Sequence, residues 1–349
     1  MKISIVGAGG EVARTLASHL LRGGLLGHGD SLQLVGHGAL SSERRLLAVR
    51  VDLLDGFDEA QPEIEVVSSL DAIEGDVIVM AAGATLSPDR PTRRDLAEAN
   101  RPLFEDFARS VAARGTGREV VVVVSNPVEL AVETLCRQID RHRVLGMGAQ
   151  QDSLRFSRAI AEDLGVHRNR VHAWVLGEHG AAIVPVWSGV QLLGVNEEQS
   201  RQQIARLRGE AQRTDFDARV VSAQGKVRRL MAEEQIAASY QAVHALPPDL
   251  RIVLEPFITC HCLHTTANAT ANATCDVVRA LTTARDSLVG AQVQLRGEVH
   301  DLHTVCGLPV VVNATGWSSV VCPPLDDEER AHLGEVADTI SGNLASWLA

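Results

Sequence analysis

The chain has 349 residues, and its 33 Lys and Arg against 44 Asp and Glu give a formal net charge of −11. With 45% hydrophobic and 22% charged residues it is an ordinary globular composition, long enough for two domains without disulfide or metal staples. The acidic balance argues against nucleic acid, whose phosphates are bound by clustered Lys and Arg, and no apolar run approaches the roughly 20 residues of a membrane-spanning helix.

In chain order, short apolar runs alternate with amphipathic stretches. Strands are predicted at Ile3 to Val6, Leu32 to Val35, Val77 to Ala81 and Val120 to Val124, with helices such as Val12 to Leu21 and Leu96 to Ala113 between them. This alternation predicts a parallel sheet covered on both faces, with ligands outside the carboxyl ends of its strands. The second half predicts a helix from Ser153 to Leu164, a strand from Val171 to Leu176 and a long polar helical stretch from Asn196 to Val243. Strands at Ser287 to Leu295 and Pro309 to Val312 precede a charged helix from Asp326. The fold class is α/β: a Rossmann-type domain over 1–148 and a mixed α+β substrate domain over 149–349. The near-repeat from Thr266 to Thr274 is too short for a repeat architecture and reads as a helix start.

Met1 to Gly7 reads as a first strand rather than a secretory signal, so a cytoplasmic location is expected, with six reduced cysteines. The sequons at Asn268, Asn272 and Asn313 are then chance matches.

The first strand runs into Gly7-Ala8-Gly9-Gly10-Glu11-Val12-Ala13 and then a helix. Glycines in this position let the backbone approach a pyrophosphate at the helix N-terminus, although an ordinary tight turn would read similarly. The carboxylate that usually receives ribose hydroxyls after the second strand is missing, because Gly36-His37-Gly38 stands there. Arg44 and Arg45 follow, which leans the expectation from NAD towards NADP; a solvated helix face would explain both arginines equally well.

Farther on come Arg93-Arg94-Asp95-Leu96, Ser125-Asn126-Pro127, Asp152-Ser153-Leu154-Arg155-Phe156 and Gly177-Glu178-His179-Gly180. With the glycine turn and the late Gly307-Leu308-Pro309-Val310, these segments in this order resemble the lactate/malate dehydrogenase family, nearest its malate branch. The resemblance implies hydride transfer between nicotinamide and a 2-oxo or 2-hydroxy acid. It makes His179 the proton donor, Asp152 its orienter and Arg93 the loop cation that polarises the carbonyl. Arg155 would grip the substrate carboxylate and Asn126 contact its oxygen. Together with the glycine turn and the end of the second strand, this makes Gly7, Gly9, Gly10, Val12, Gly36, His37, Arg44, Gly83, Asn100 and Ser125 the expected cofactor residues. It also implies a homodimer or homotetramer.

The chain departs from the family in two places. Six residues before Arg93, where malate enzymes carry a second arginine, stands Ser87, or Leu86 if one residue is inserted between, so malate is in doubt unless Arg90 reaches the distal carboxylate. An extra helical segment lies around 226–258, and Thr266 then falls where a Ser or Thr lines the pocket. Together with His264, Asn268 and Asn272 it suggests a polar, larger substrate. Cys260, His261, Cys262 and His264 tempt a zinc reading, but their spacing is too tight and no metal is expected. Two alternatives stand beside the dehydrogenase: a cofactor-binding homologue without turnover, and an NAD- and metal-dependent glycosidase of the family 4 type.

Overall fold

The computed structural model describes residues 1–57, 62–87, 89–90, 92–209, 216–262, 265–283 and 285–349. Strand β1 (Lys2–Val6) turns into α1 (Glu11–Arg22), β2 (Ser31–Val35) into α2 (Leu40–Gly56), and β3 (Glu63–Val67) leads to β4 (Val77–Met80). Helix α3 (Arg93–Arg114), β5 (Val120–Val123), α4 (Val128–Cys136), β6 (Val144–Gly146) and α5 (Gly148–Leu164) follow. The four valines of β5 are all buried, as expected of a strand covered on both faces.

Six strands pair in parallel in the order β3-β2-β1-β4-β5-β6. Strand order reverses between β1 and β4, so a crevice opens at the carboxyl ends of those strands. Beyond β6 the same sheet continues antiparallel, through β9 (Ser287–Gln294), β10 (Val305–Asn313), β7 (Val171–Gly177) and β8 (Ile183–Leu192), with β11 (Gly316–Val320) on β10.

Between β8 and β9 lie α6 (Glu197–Arg208), α7 (Phe216–Ala232), α8 (Ile236–His244), α9 (Pro248–His261) and α10 (Ala267–Thr282). The single helical stretch expected from Asn196 to Val243 is therefore divided: the left-handed Gly209 stops α6, and α7 is separated from α8 by Glu234 at φ +57°. The segment around 226–258 builds a second apolar core, in which Val227, Leu254 and Ile258 pack with Phe156, Ile160 and Trp187. Arg251, 2% exposed, fastens α9 to α5 through the Asp163 carboxylate and the Ala159 carbonyl, both at 2.6 Å. Burying a guanidinium is tolerable only with such partners.

Strand β8 escapes sequence reasoning because Pro185 and Gly189 interrupt its pattern. It lies at the end of the strand order, where a missing N–H is tolerated. Strand β3 at the opposite end carries Glu63 and Glu65, which mask its apolar residues. The chain closes with α11 (Asp327–Leu348), started by an Asp326/Glu329 capping box. Among the described residues no helix is long and apolar enough to cross a membrane.

Candidate active site

The crevice beside β1 and β4 holds a cavity of about 940 Å³ whose wall includes Gly7, Gly9, Gly10, Gly36, His37 and Gly83. Gly7 sits at φ +84°, and a Cβ there would stand 2.6 Å from the Cα of Ala82. The turn must therefore be glycine for both conformational and steric reasons. Gly10 caps α1 without a side chain, so the first N–H groups of the helix are left for a ligand anion. Bare backbone donors, a positive helix end and a crevice of this size fit a dinucleotide.

Four residues expected at the cofactor are not on this wall. Val12 is turned partly inward with α1, and Arg44 is exposed off the wall. The side chain of α2 that lines the cavity is Arg45, one residue on, beside Ser41 and Ser42. Asn100 is spent on backbone: its amide bonds both peptide groups of Ala84, at 2.7 and 3.0 Å, and the Asn126 carbonyl at 2.7 Å. Ser125 likewise donates between the carbonyls of Met80 and Ala82, at 3.0 and 2.5 Å. Asn100 and Ser125 thus shape the loops beside the cavity from behind. The wall also carries Arg109 and Arg114, which pair with Asp106 and with Asp71 (3.0 Å) respectively. Arg45 has no ion-pair partner among the described residues.

The catalytic candidates converge where α5 meets the β7–β8 turn. His179 Nδ1 lies 2.7 Å from Asp152 Oδ2, while Arg155 Nη1 donates to Asp152 Oδ1 at 2.8 Å. Asp152 and Arg155 are three residues apart on α5, so their side chains share one face. Gly148, one turn before them, has no room for a Cβ against the imidazole of His179, which lets the ring pack on the helix start. Burial alone would push the Asp152 carboxyl upward, but His179 and Arg155 together hold it below its ordinary range. An ionised Asp152 can only accept, so Nδ1 carries the hydrogen and Nε2 remains for a substrate oxygen.

Thr266 caps this group. Its hydroxyl receives Arg155 Nη2 at 3.3 Å and Gln151 Nε2 at 3.1 Å, and Thr270 donates to Gln151 Oε1 at 3.3 Å. The polar side chains that gather at Thr266 are thus Gln151 and Thr270, whereas Asn268 and Asn272, expected there, are exposed on α10. His264 lies outside the described residues. Gln151 stands immediately before Asp152 and is buried, but nothing in sequence distinguishes it from a solvated neighbour on the helix.

Arg93 is the first residue of α3, set there by the Thr92/Asp95 capping box. Its guanidinium reaches Glu129 (3.0 Å), Glu178 (3.2 Å) and the His179 carbonyl (2.7 Å), leaving Nε buried without a partner among the described residues. Asn126 Oδ1 is equally unpartnered. Arg90 lies in the loop before α3, paired through its backbone to Ser87; its Nε too is partnerless among the described residues. Glu129 and Glu178, both missed in the sequence reading, are buried carboxylates beside His179, Glu129 on its amide and both on Arg93. Cys260 and Cys262 are exposed at the end of α9, and no group of three or more metal-ligating side chains forms among the described residues.

Two family models match the chain: the lactate/malate dehydrogenase NAD binding domain over residues 1–146 and the alpha/beta C-terminal domain of the same family over 150–247. The L-lactate dehydrogenase B chain of Trachemys scripta elegans is 27% identical over 345 residues, covering 98% of this chain and 91% of that one. Among solved structures, the Cryptosporidium parvum malate dehydrogenase superposes with a TM-score of 0.76 at 20% identity, covering 99% of this chain and 98% of that one. The lactate dehydrogenase from Cryptosporidium parvum, solved with lactic acid and nicotinamide adenine dinucleotide, reaches a TM-score of 0.77 at 20% identity, with 99% and 97% covered. At such identities the structural likeness speaks for the fold, while the sequence models speak for descent. Neither the glycosidase nor the turnover-free alternative is favoured by these matches. The chain belongs to the lactate/malate dehydrogenase family.

Proposed function

We propose that the chain is a nicotinamide-dependent dehydrogenase interconverting a 2-oxo acid and its 2-hydroxy acid. The observation that carries this reading is the His179–Asp152–Arg155 constellation, in which one carboxylate orients an imidazole with one oxygen and a guanidinium with the other. When bound, the nicotinamide supplies or accepts the hydride. The residues of the chain then handle charge and proton. Arg155 receives the substrate carboxylate through its remaining N–H groups, and Thr266 keeps the guanidinium from swinging away. The developing alkoxide takes a proton from His179 Nε2, and Asp152 stabilises the imidazolium present before that transfer. Arg93, through the Nε that has no partner among the described residues, and Asn126, donating through its amide N–H, polarise the carbonyl.

The substrate is polar or extended, because Gln151, Thr266 and Thr270 line the space beside Arg155 and Arg90 offers a charge from the loop. NAD is the first expectation for the cofactor, following the matching domain's description. Acceptance of NADP rests on Arg45 alone, since Arg44 is turned off the wall.

Consumption of NADH and NADPH against pyruvate, oxaloacetate and larger polar 2-oxo acids tests the reading, with His179→Asn as control. Turnover that falls about 10²- to 10⁴-fold in the variant is expected. No turnover with any pair, or turnover indifferent to His179, would refute it. An NADPH preference that disappears in Arg45→Ala would establish the finer cofactor choice.

A further inference from the structure

His179 is held at three points, and its imidazole is only one of them. Its N–H donates to Glu129 Oε1 at 2.6 Å, and its carbonyl accepts from Arg93 Nη1 at 2.7 Å. The second amino group of Arg93 donates to Glu129 Oε2 at 3.0 Å. Glu129 therefore reaches both peptide groups of His179, one directly and one through Arg93. It does so from α4, where its neighbours Val128, Leu130 and Ala131 are buried and apolar and the side chain is 1% exposed. A carboxylate in such a place is costly unless it is paired, and its partners here are the backbone of the proton donor and the cation beside it. Glu178, 5% exposed, touches the same guanidinium at 3.2 Å; the His179 N–H goes to Glu129 instead.

We propose that Glu129 is a positioning residue for the reaction, clamping the His179 backbone on both sides so that the imidazole is presented at a fixed place. The inference rests on reading His179 as the proton donor. Asp152 sets the ring's rotation and tautomer, but a ring on a hairpin turn is only as well placed as the turn itself. A shift of about 1 Å at a reacting group costs on the order of 10²-fold in rate.

The test is Glu129→Gln beside Glu178→Gln in the full chain, both read by steady-state kinetics, cofactor binding and amide hydrogen exchange. For E129Q the expected result is a kcat about 10- to 100-fold lower, with KM for the oxo acid and cofactor Kd within about twofold. Exchange at the His179 amide should accelerate in step. E178Q, which removes an equally buried charge from the same arginine, should lose distinctly less. A folded E129Q with unchanged kcat, or equal losses in the two variants, would overturn the proposal. If E129Q does not fold, the wild-type chain still decides: slow exchange at the His179 amide is expected, and exchange at the rate of an open peptide would overturn the clamp. A wild-type chain inert towards every oxo acid would overturn the functional reading and with it the catalytic consequence, while exchange at His179 would still report on the clamp.

Discussion

Around the ends of β1 and β2 the site wall is made of glycine and bare backbone, whereas around His179 it is made of charged side chains held out of water. The two regions therefore fail in opposite ways. The glycine-lined crevice is spoiled by added volume, since Gly7 has no room for a Cβ beside Ala82. The catalytic cluster is spoiled by subtraction, because removing one member leaves a buried charge without its partner.

The strongest way to break this comparison is Asp152→Asn. The substitution is nearly isosteric but can no longer enforce the Nδ1–H tautomer or stabilise the imidazolium, and it leaves Arg155 short of an anion. A loss of about 10²- to 10⁴-fold in kcat/KM is expected, with cofactor affinity untouched. Isothermal titration beside steady-state kinetics checks both halves. A comparable loss of cofactor binding would mean that the two regions are not separable.

Gly7→Ala probes the other region. At φ +84° an L side chain is strained by about 1–2 kcal/mol before its collision with Ala82 is counted. The expected outcome is weaker cofactor binding and a lower Tm, with kcat at saturating cofactor changed much less. A kcat defect at saturation would contradict the division.

The smallest expected effect is a pH dependence of stability with two opposing senses inside the catalytic cluster. Burial raises the Asp152 carboxyl, but His179 and Arg155 more than offset this and hold it low; its stabilisation is present above the ordinary Asp value and is lost as pH falls through the folded value. For Glu129, burial is only partly countered by Arg93, and Glu178 adds to it, so its carboxyl is raised. The folded chain then keeps a proton that the unfolded chain has released. Stability declines as pH climbs from the ordinary Glu value through the raised one. Tm measured against pH should show the acid-side loss removed in Asp152→Asn and the higher-pH decline removed in Glu129→Gln. Identical profiles in wild type and both variants would refute the assignment.

The two regions also differ in how legible they are in sequence. The strand, glycine turn and helix at the start of the chain are local features, readable from spacing alone, and the apolar strands of the parallel sheet announce themselves because both faces are covered. His179, Asp152 and Arg155 were legible as motifs, but their meeting depends on α5 lying against the β7–β8 turn, which no local pattern states. Glu129 was illegible as a functional residue: one of two glutamates in a short, largely apolar helix, it gives no hint that it ends at the His179 amide. Arg44 and Arg45 show the same limit at finer grain, because one helical step of about 100° decides which of two adjacent arginines faces the cavity. Residues such as Asn100 and Ser125 were noticed for the right neighbourhood, yet their polar atoms are spent on the backbone.

The central claim is hydride transfer at a carbonyl protonated by His179, and its most direct test uses reduced cofactor deuterated at the transferable position. With the best 2-oxo acid from the panel, the product 2-hydroxy acid should carry one deuterium on C2, seen by mass spectrometry and NMR, and His179→Asn should form about 10²- to 10⁴-fold less of this labelled product over the same time. Product without deuterium at C2, or labelled product formed equally fast without His179, would contradict the account.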